Sequence, residues 1–536
     1  MKLAALGIAM CAAMVLAGSD ATEAQTVGED PAAAVGYVNQ LRAQVGLVPF
    51  RHNALLDQSA RNHAAYLSRN RVEGHFESPS QPGFTGAKPH ERMSAVGYST
   101  APVGENVSNG STDAKHSVDG LMSAIYHRIG FLSFDMDEAG MGSAPGPQDK
   151  RIYVYNMGSA QAAVAEFCKH PDPAGLVTVS GHFYEICPGR LKVKPEVFDA
   201  LQAAGARRNP RMVVWPPRDG REVPVTFSGE RPNPIPDRAM SGYPVSIHFN
   251  PAFVKSARLT AFRLFEAGGS AGSASGSARA EITATRILSA ETDPNREFGA
   301  LDFALFPLDR LEWDRTYLAQ ARVTVDGKDE EISWSFRTKA IGLPVYDLAG
   351  TGEEVPVRPG VEYAVRIAPS PQQPKLAGIE YESAQTVDVK LDVEDENTLR
   401  IKAAGPLCSR INMKSGNAHF TLRLADTDAT AGKLAPAQAF AGCPEYSADF
   451  KIAAAGEELR VRPGTTYRIY IQPSAGQSRI GNMRFSYTSN VEPKFELEDA
   501  NTVKATVQGA SGGRVKVDLA GGRRFSLLVD SNAPAK

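Results

Sequence analysis

An internal duplication near the C-terminus narrows the folds open to this 536-residue chain more than any other feature. Residues 352–370, GEEVPVRPGVEYAVRIAPS, align without gaps with residues 456–474, GEELRVRPGTTYRIYIQPS. The register runs on to VEDENTL (393–399) against LEDANTV (497–503). In each copy a Gly-Glu-Glu turn and an Arg-Pro-Gly turn bracket short alternating runs. Tyr363, Val365 and Ile367, or Tyr467, Ile469 and Ile471, then fall on one face of a strand. Two copies are too few for a solenoid, which needs about three or more units to bury a continuous core. The pattern predicts two β-sandwich modules, over 345–430 and 449–532.

The strand rhythm begins earlier. From RMVVWPPRDG onward, the runs VPVTFSG, YPVSIHF, ARLTAFRLF, ARAEITATRIL, TYLAQARVTV and ISWSFRTK alternate with turn residues. They predict a further sandwich over 208–340. Its opening, PRDGREVPVTF, and its ending, RTYLAQARVTV followed by WSFRT, resemble bacterial Ig-like modules, which act as spacers or adhesive units. Trp334, two residues before Phe336, belongs on the core face. AGGSAGSASGSARA (267–280) reads as a floppy hairpin loop.

Ahead of this all-β region the periodicity is helical. Val35, Val38, Leu41 and Val45 recur at helical spacing within 31–48. A second helix spans 53–71, with Asn53 as N-cap and Leu56, Ala60, His63 and Leu67 on one face. A third spans about 112–128, with Val118, Leu121, Met122 and Ile125 inward. Strands at 138–144 and 151–158 complete an α+β domain over 31–160. A connector over 161–207 holds the first cysteine pair and a short helix near 195–204. The chain as a whole is multidomain, α+β first and all-β sandwich modules after.

Residues 1–24 read as a signal peptide. Lys2 gives the positive start, LAALGIAMCAAMVLAG the apolar core, and small residues near Ala17 or Ala24 the cleavage points. The apolar run is shorter than the roughly 20 residues a membrane span needs, and no later stretch is long enough. The expected location is therefore secreted or periplasmic. Cys168, Cys187, Cys408 and Cys443 then form two local pairs. In an exported protein two disulfides are the default reading; a metal site is the alternative, without a C-x-x-C spacing to support it. The net charge of -2 gives no electrostatic case for nucleic acid or an anionic membrane as partner.

The candidate chemistry lies in the first domain: His75 in EGHF, Glu105 in VGENVSNG and His127 in LMSAIYHR. With VNQLRAQVGLVPFRHNALLDQSARNHAAYL, ERMSAVGY, AGMGSA and IYVYNMGS in the same order, these segments resemble the CAP superfamily (SCP/PR-1-like) in its bacterial form, over residues 31–160. The resemblance implies an α-β-α sandwich with a cavity lined by His75, Glu105 and His127. It also implies zinc as the metal that His75 and His127 can hold, with the acid nearby. Two neutral imidazoles and a carboxylate suit that ion and leave a position for water. The bland alternatives are that the histidines knit loop to helix by hydrogen bonds and that Glu105 anchors its own loop through backbone amides. His63 reads as a core histidine.

The sequence departs from the family pattern at three points. The second cavity glutamate has only Asp119 as a neighbour in sequence, Leu121 replaces a common tryptophan, and Tyr126-His127-Arg128 replaces G-H-Y-T-Q. No G-x-S-x-G elbow, phosphate loop or dinucleotide fingerprint is present. The expectation is a non-enzymatic binding or envelope-interaction protein displayed on β-sandwich modules. Its partner would be a small or apolar ligand or a cell-envelope component. The alternative is a zinc-dependent hydrolase of peptides or cell-wall material, with Glu105 as its catalytic carboxylate.

Overall fold

A computed structural model describes residues 30–98, 103–147, 149–159, 161–169, 176–177, 184–187, 191–267, 280–383, 387–426, 449–453, 455–472, 480–498, 501–519 and 522–533. The expected leader, most of the 267–280 stretch, Cys443 and the side chain of Cys187 lie outside them. The chain divides into two compact units. One takes Met1–Ala43, Leu47–Leu121 and Ser133–Ala206; the other takes Gln44–Gly46, Met122–Leu132 and Arg207–Lys536. Among the described residues no helix is long and apolar enough to cross a membrane.

In the first unit, helix α1 (Pro31–Gln44) precedes a short strand β1 (Arg51–His52) and the long helix α2 (Ala54–Asn70). Helix α3 (Pro89–Ala95), strand β2 (Val103–Ser111), helix α4 (Ala114–Ser123), β3 (Glu138–Pro145) and β4 (Arg151–Gly158) follow. The sheet order is β1-β3-β4-β2, with β1 parallel to β3 and the other pairs antiparallel. Asn53 caps α2 as its sequence predicts, accepting from Leu55 N at 2.9 Å. Strand β4 is buried along nearly its whole length, because both faces are covered. On one side Ile152 and Val154 pack with Ala60, Ala64 and Leu67 of α2. On the other, the Tyr155 hydroxyl donates to the Ala114 carbonyl of α4 at 3.2 Å. That is the α-β-α layering the sequence implied.

Two glycines set how close α2 lies to the sheet. A Cβ on Gly140 would sit 2.4 Å from Asp57 N, and one on Gly142 would sit 2.1 Å from Arg61 N. Only a bare backbone fits under the helix there. AGMGSA is thus a helix seat, and Asp57 fastens it by accepting from Met141 N at 2.9 Å.

In the second unit, helix α5 (Ile125–Phe131) stands with the sandwich over 208–340, called the Ig-like module here after its sequence resemblance. The single helix expected over 112–128 is interrupted at Ala124, whose backbone is extended (φ -78, ψ 117). The Ig-like module pairs two sheets. The first orders Thr285–Leu288, Asp302–Pro307, Val245–Phe249 and Met212–Trp215; the second orders Ala280–Glu281, Ala257–Glu266, Thr316–Val325, Lys328–Thr338 and Gly220–Val223. Trp334 and Phe336 are both buried in it.

The two repeats share one design. The first has sheets Val345–Leu348/Glu362–Ile367/Thr398–Ala404/Asp388–Asp395 and Thr351–Val357/Ala418–Leu424/Arg410–Ser415/Ile379–Ser383. The second has Phe450–Ile452/Thr466–Ile471/Thr502–Gly509/Val491–Leu497 and Glu457–Val461/Arg524–Val529/Arg514–Asp518/Arg484–Tyr487. In all four sheets the first pair is parallel. Tyr363 and Tyr467 are equally buried, each accepting at its hydroxyl from a main-chain N–H five residues earlier: Arg358 at 3.0 Å and Arg462 at 2.9 Å. Tyr317 of the Ig-like module does the same with Glu312 N at 2.9 Å.

Two outcomes follow from these contacts. Gly142→Ala should destabilise the first unit by about 2 kcal/mol or more, since overpacking against a backbone cannot relax by rotamer change. Tyr467→Phe should cost about 1 kcal/mol. Both are measured by denaturant unfolding of the full chain.

Candidate functional site

His75 and Glu105, thirty residues apart, meet in the first unit. His75 lies in the loop after α2, and its Nδ1 is 3.0 Å from Glu105 Oε1. Glu105 lies on strand β2, in register with Asn156 of β4 and on the sheet face that α2 covers. The alternative reading of Glu105 had it bonding the backbone amides of its own loop. Its carboxylate instead meets side chains. Arg92 Nη2, from α3, donates to both of its oxygens at 2.8 Å. With its amide nitrogen turned to the carboxylate, Asn156 donates to Oε2 at 3.0 Å, while its oxygen accepts from Ser59 Oγ and Ala60 N at 3.1 Å.

A second carboxylate completes the group. His63, expected as a core histidine, is fully buried on α2, with Nδ1 2.9 Å from Glu77 Oε1 and Nε2 3.0 Å from the Gly74 carbonyl. Both ring nitrogens thus face oxygen atoms. Nε2 also lies 3.7 Å from Glu105 Oε1. Glu77 accepts from Thr85 N at 2.7 Å, and Arg92 Nε lies 3.7 Å from it. The side chains of His63, Glu77 and Arg92 are inaccessible, Glu105 is 1% exposed, and His75 alone reaches solvent, at 36%. Phe76 beside it is 69% exposed.

Burial alone would raise the Glu105 pKa. The His75 hydrogen bond and the positive charges of Arg92 and His63 outweigh burial and hold it below the ordinary carboxylate range. The sequence drew no attention to Glu77 or Asn156. Arg92 has two readings in the sequence, a partner for acids near the cavity or, like most arginines near helix ends, a surface or capping group.

His127 is in the segment that belongs to the second unit. Its Nδ1 lies 3.0 Å from Glu230 Oε1. The same carboxylate accepts from the backbone of Ile125 at 2.8 Å, Tyr126 at 2.7 Å and His127 at 3.3 Å. It therefore serves as the N-cap of α5, the place where a negative charge meets unpaired amides. The neighbours of His127 are held as firmly. The Tyr126 hydroxyl donates to Asp293 Oδ1 at 2.5 Å; burial first, then this bond, push its pKa up. Arg128, fully buried, donates to the carbonyls of Met122 at 2.7 Å and Pro244 at 2.8 Å. Asp119, the nearest stand-in for a second cavity acid, accepts from Tyr37 at 2.6 Å and Lys115 at 2.7 Å on α4. Among the described residues no three His, Cys, Asp or Glu side chains gather at metal-binding spacing.

The depressed Glu105 pKa fixes a pH dependence. A carboxylate whose pKa is lower in the fold contributes stability that is complete above its unfolded value and lost as pH falls through the folded one. The first unit should therefore lose stability below about pH 4. Glu105→Gln should flatten that acid limb and, by leaving Arg92 short of a counter-charge, cost about 3–5 kcal/mol at pH 7. Urea unfolding of the full chain at several pH values reads both effects.

Residues 35–157 match the model of the cysteine-rich secretory protein family, CAP. Among solved structures the chain is similar to an outer surface protein from Borrelia burgdorferi. The identity is 18% over 23% of this chain and 88% of that one, with a TM-score of 0.21. It is also similar to an extracellular protein containing an SCP domain from Bacillus anthracis str. Ames. There the identity is 19% over 24% of this chain and 39% of that one, with a TM-score of 0.21. No curated protein matches.

Proposed function

Residues 35–157 being a domain of the CAP family, we propose that the chain is an exported protein that acts at the cell envelope by binding, not by hydrolysis. The saturation of Glu105 carries this reading. A general base needs a lone pair within reach of substrate or water. Both Glu105 oxygens are instead engaged by Arg92, and His75 and Asn156 take further positions on them. The carboxylate is inaccessible, and its proton affinity is lowered, the wrong direction for a base working near neutrality. It braces the loop that presents His75 and Phe76, the exposed members of the group. In this reading that imidazole and aromatic ring form the contact surface for an envelope component or a small apolar ligand.

The donor set does not fit the zinc centre expected of His75 and His127. Glu105 is neutralised by a guanidinium, and the His127 Nδ1 and the backbone around it are committed to Glu230. A zinc ligand set is ordinarily neutral imidazoles and thiolates or carboxylates free to bind.

Export also implies paired cysteines. The bonded state of Cys168 and Cys408 supports joining each to its neighbour in sequence, Cys187 and Cys443. Each bridge would close a short loop and stabilise by roughly 3 kcal/mol in the entropic model. Non-reducing peptide mapping of exported protein should return those two links; a crossed link would refute the pairing.

Zinc titration by calorimetry, run on the full chain beside assays on mixed peptides and cell-wall fragments, tests the function. The expected outcome is no turnover with zinc present and none altered by Glu105→Gln. Turnover that Glu105→Gln abolishes would overturn the binding reading. Zinc heat lost in His75→Ala/His127→Ala would restore the metal centre.

A further inference from the structure

The Ig-like module contains a cleft of about 470 Å³ lined by residues of the Ala257–Glu266, Thr285–Leu288 and Asp302–Pro307 strands and their adjoining loops. Small-molecule sites typically measure roughly 300–1,000 Å³. Its floor is apolar, from Leu259 and Ala261 on one sheet and Ile287 and Phe303 on the other. Lys255 and Arg258, both exposed, are among the residues that line it.

The strand Ala257–Glu266 makes the opening. Its pairing with Thr316–Val325 slips by one residue between Leu259 and Ala261, so that Thr260 is extra. A bulge of this kind bends the strand and switches which residues face inward. Beyond it the buried positions are Phe262 and Leu264; before it the strand never becomes fully buried. The sheets part at that place, and the core continues as a cleft. Its walls are prebuilt. Asp326 Oδ1 accepts from Lys255 N at 2.9 Å and Ser256 N at 2.8 Å, fixing the turn that carries the lysine. On the facing loop, Ser289 N donates to Thr292 Oγ1 at 2.9 Å, and Asp293 Oδ2 holds the amides of Glu297 and Phe298 at 2.6 and 3.0 Å. A site already in its bound shape loses little entropy on binding.

Charge identifies the ligand class. Several arginines of this module are matched with acids: Arg211 with Glu330, Arg286 with Asp237, Arg322 with Glu331 and Arg337 with Asp314. Among the described residues, Lys255 and Arg258 have no such partner. The one acid on the rim, Glu291, is engaged by Ser289 Oγ at 3.1 Å. We propose that this cleft is a binding site for an amphipathic carboxylate, its apolar body on Leu259, Ile287 and Phe303 and its head group at Lys255 and Arg258.

The test uses the full chain and decanoate, with decanol and decylamine as matched probes of other charge, in titration calorimetry. Decanoate should bind one-to-one, and decylamine at least tenfold more weakly. Lys255→Glu/Arg258→Glu changes two surface side chains. It should weaken decanoate about tenfold while leaving decanol unchanged. Ala261→Trp fills the cleft and should abolish binding of both. If that variant misfolds by circular dichroism, Leu259→Phe replaces it. No decanoate heat with the native chain would overturn the proposal, as would decanoate affinity unchanged in the cleft-filling variant. Affinity indifferent to the double charge reversal would overturn the head-group assignment.

Discussion

A buried cluster of opposite charges holds the first unit together. Glu77, Glu105, Arg92 and His63 are all but inaccessible to water, and each is bonded to at least one other charged member. A lone ion in such a place costs several kcal/mol in desolvation, which only close and well-directed partners offset. The cluster draws its members from α2, the loop after it, α3 and β2, and Asn156 adds β4. Each element is positioned by a polar demand that its own sequence cannot meet. A carboxylate and histidine that resemble catalytic parts in the sequence thus stand as a structural keystone, and only the His75 edge of the keystone faces outward.

Much of this was legible in the sequence where the information is local. Asn53 capped α2 because an Asn side chain reaches its own helix's first amides. Tyr363 and Tyr467 went to matching core sites because strand alternation and the repeat register agree. The failures have a common cause. VGENVSNG did not look like a strand, since Gly and Asn have poor β-propensity and no alternation; its pairing with β4 supplies what propensity lacks. The break at Ala124 was invisible because the group that caps α5, Glu230, lies more than a hundred residues downstream. For Arg92 a pairing with acids near the cavity was one of two readings, and its acids lie on other elements, so nothing local decided between that and a surface role.

The tyrosine device shows how one solution recurs beyond detectable sequence likeness. In each of three sandwiches a buried tyrosine hydroxyl accepts a main-chain N–H five residues before it. That amide sits at a strand-entry turn, where no ladder partner is available and an unpaired donor would be costly. The ring fills the core while its oxygen satisfies the turn. For Tyr317 burial pushes the hydroxyl pKa up to about 12, so it keeps its proton at any physiological pH.

The path of the chain has a consequence for synthesis. Residues 122–132 leave the first unit, join the second, and the chain then returns to complete the first at 133–206. Helix α5 buries Ile125 against Phe227, Phe298 and Phe306. Asp293, which receives the Tyr126 hydroxyl, lies 167 residues beyond it. A ribosome adding roughly 5–20 residues per second needs about 8–33 s to make that stretch. Its cap, Glu230, is made 105 residues after Ile125, and Phe298 and Phe306 of its apolar cover come later still. Helix α5 therefore cannot reach its final packing until the module that follows has been made. Anything that halts synthesis before about residue 306 leaves Ile125 and its helix without their full apolar cover.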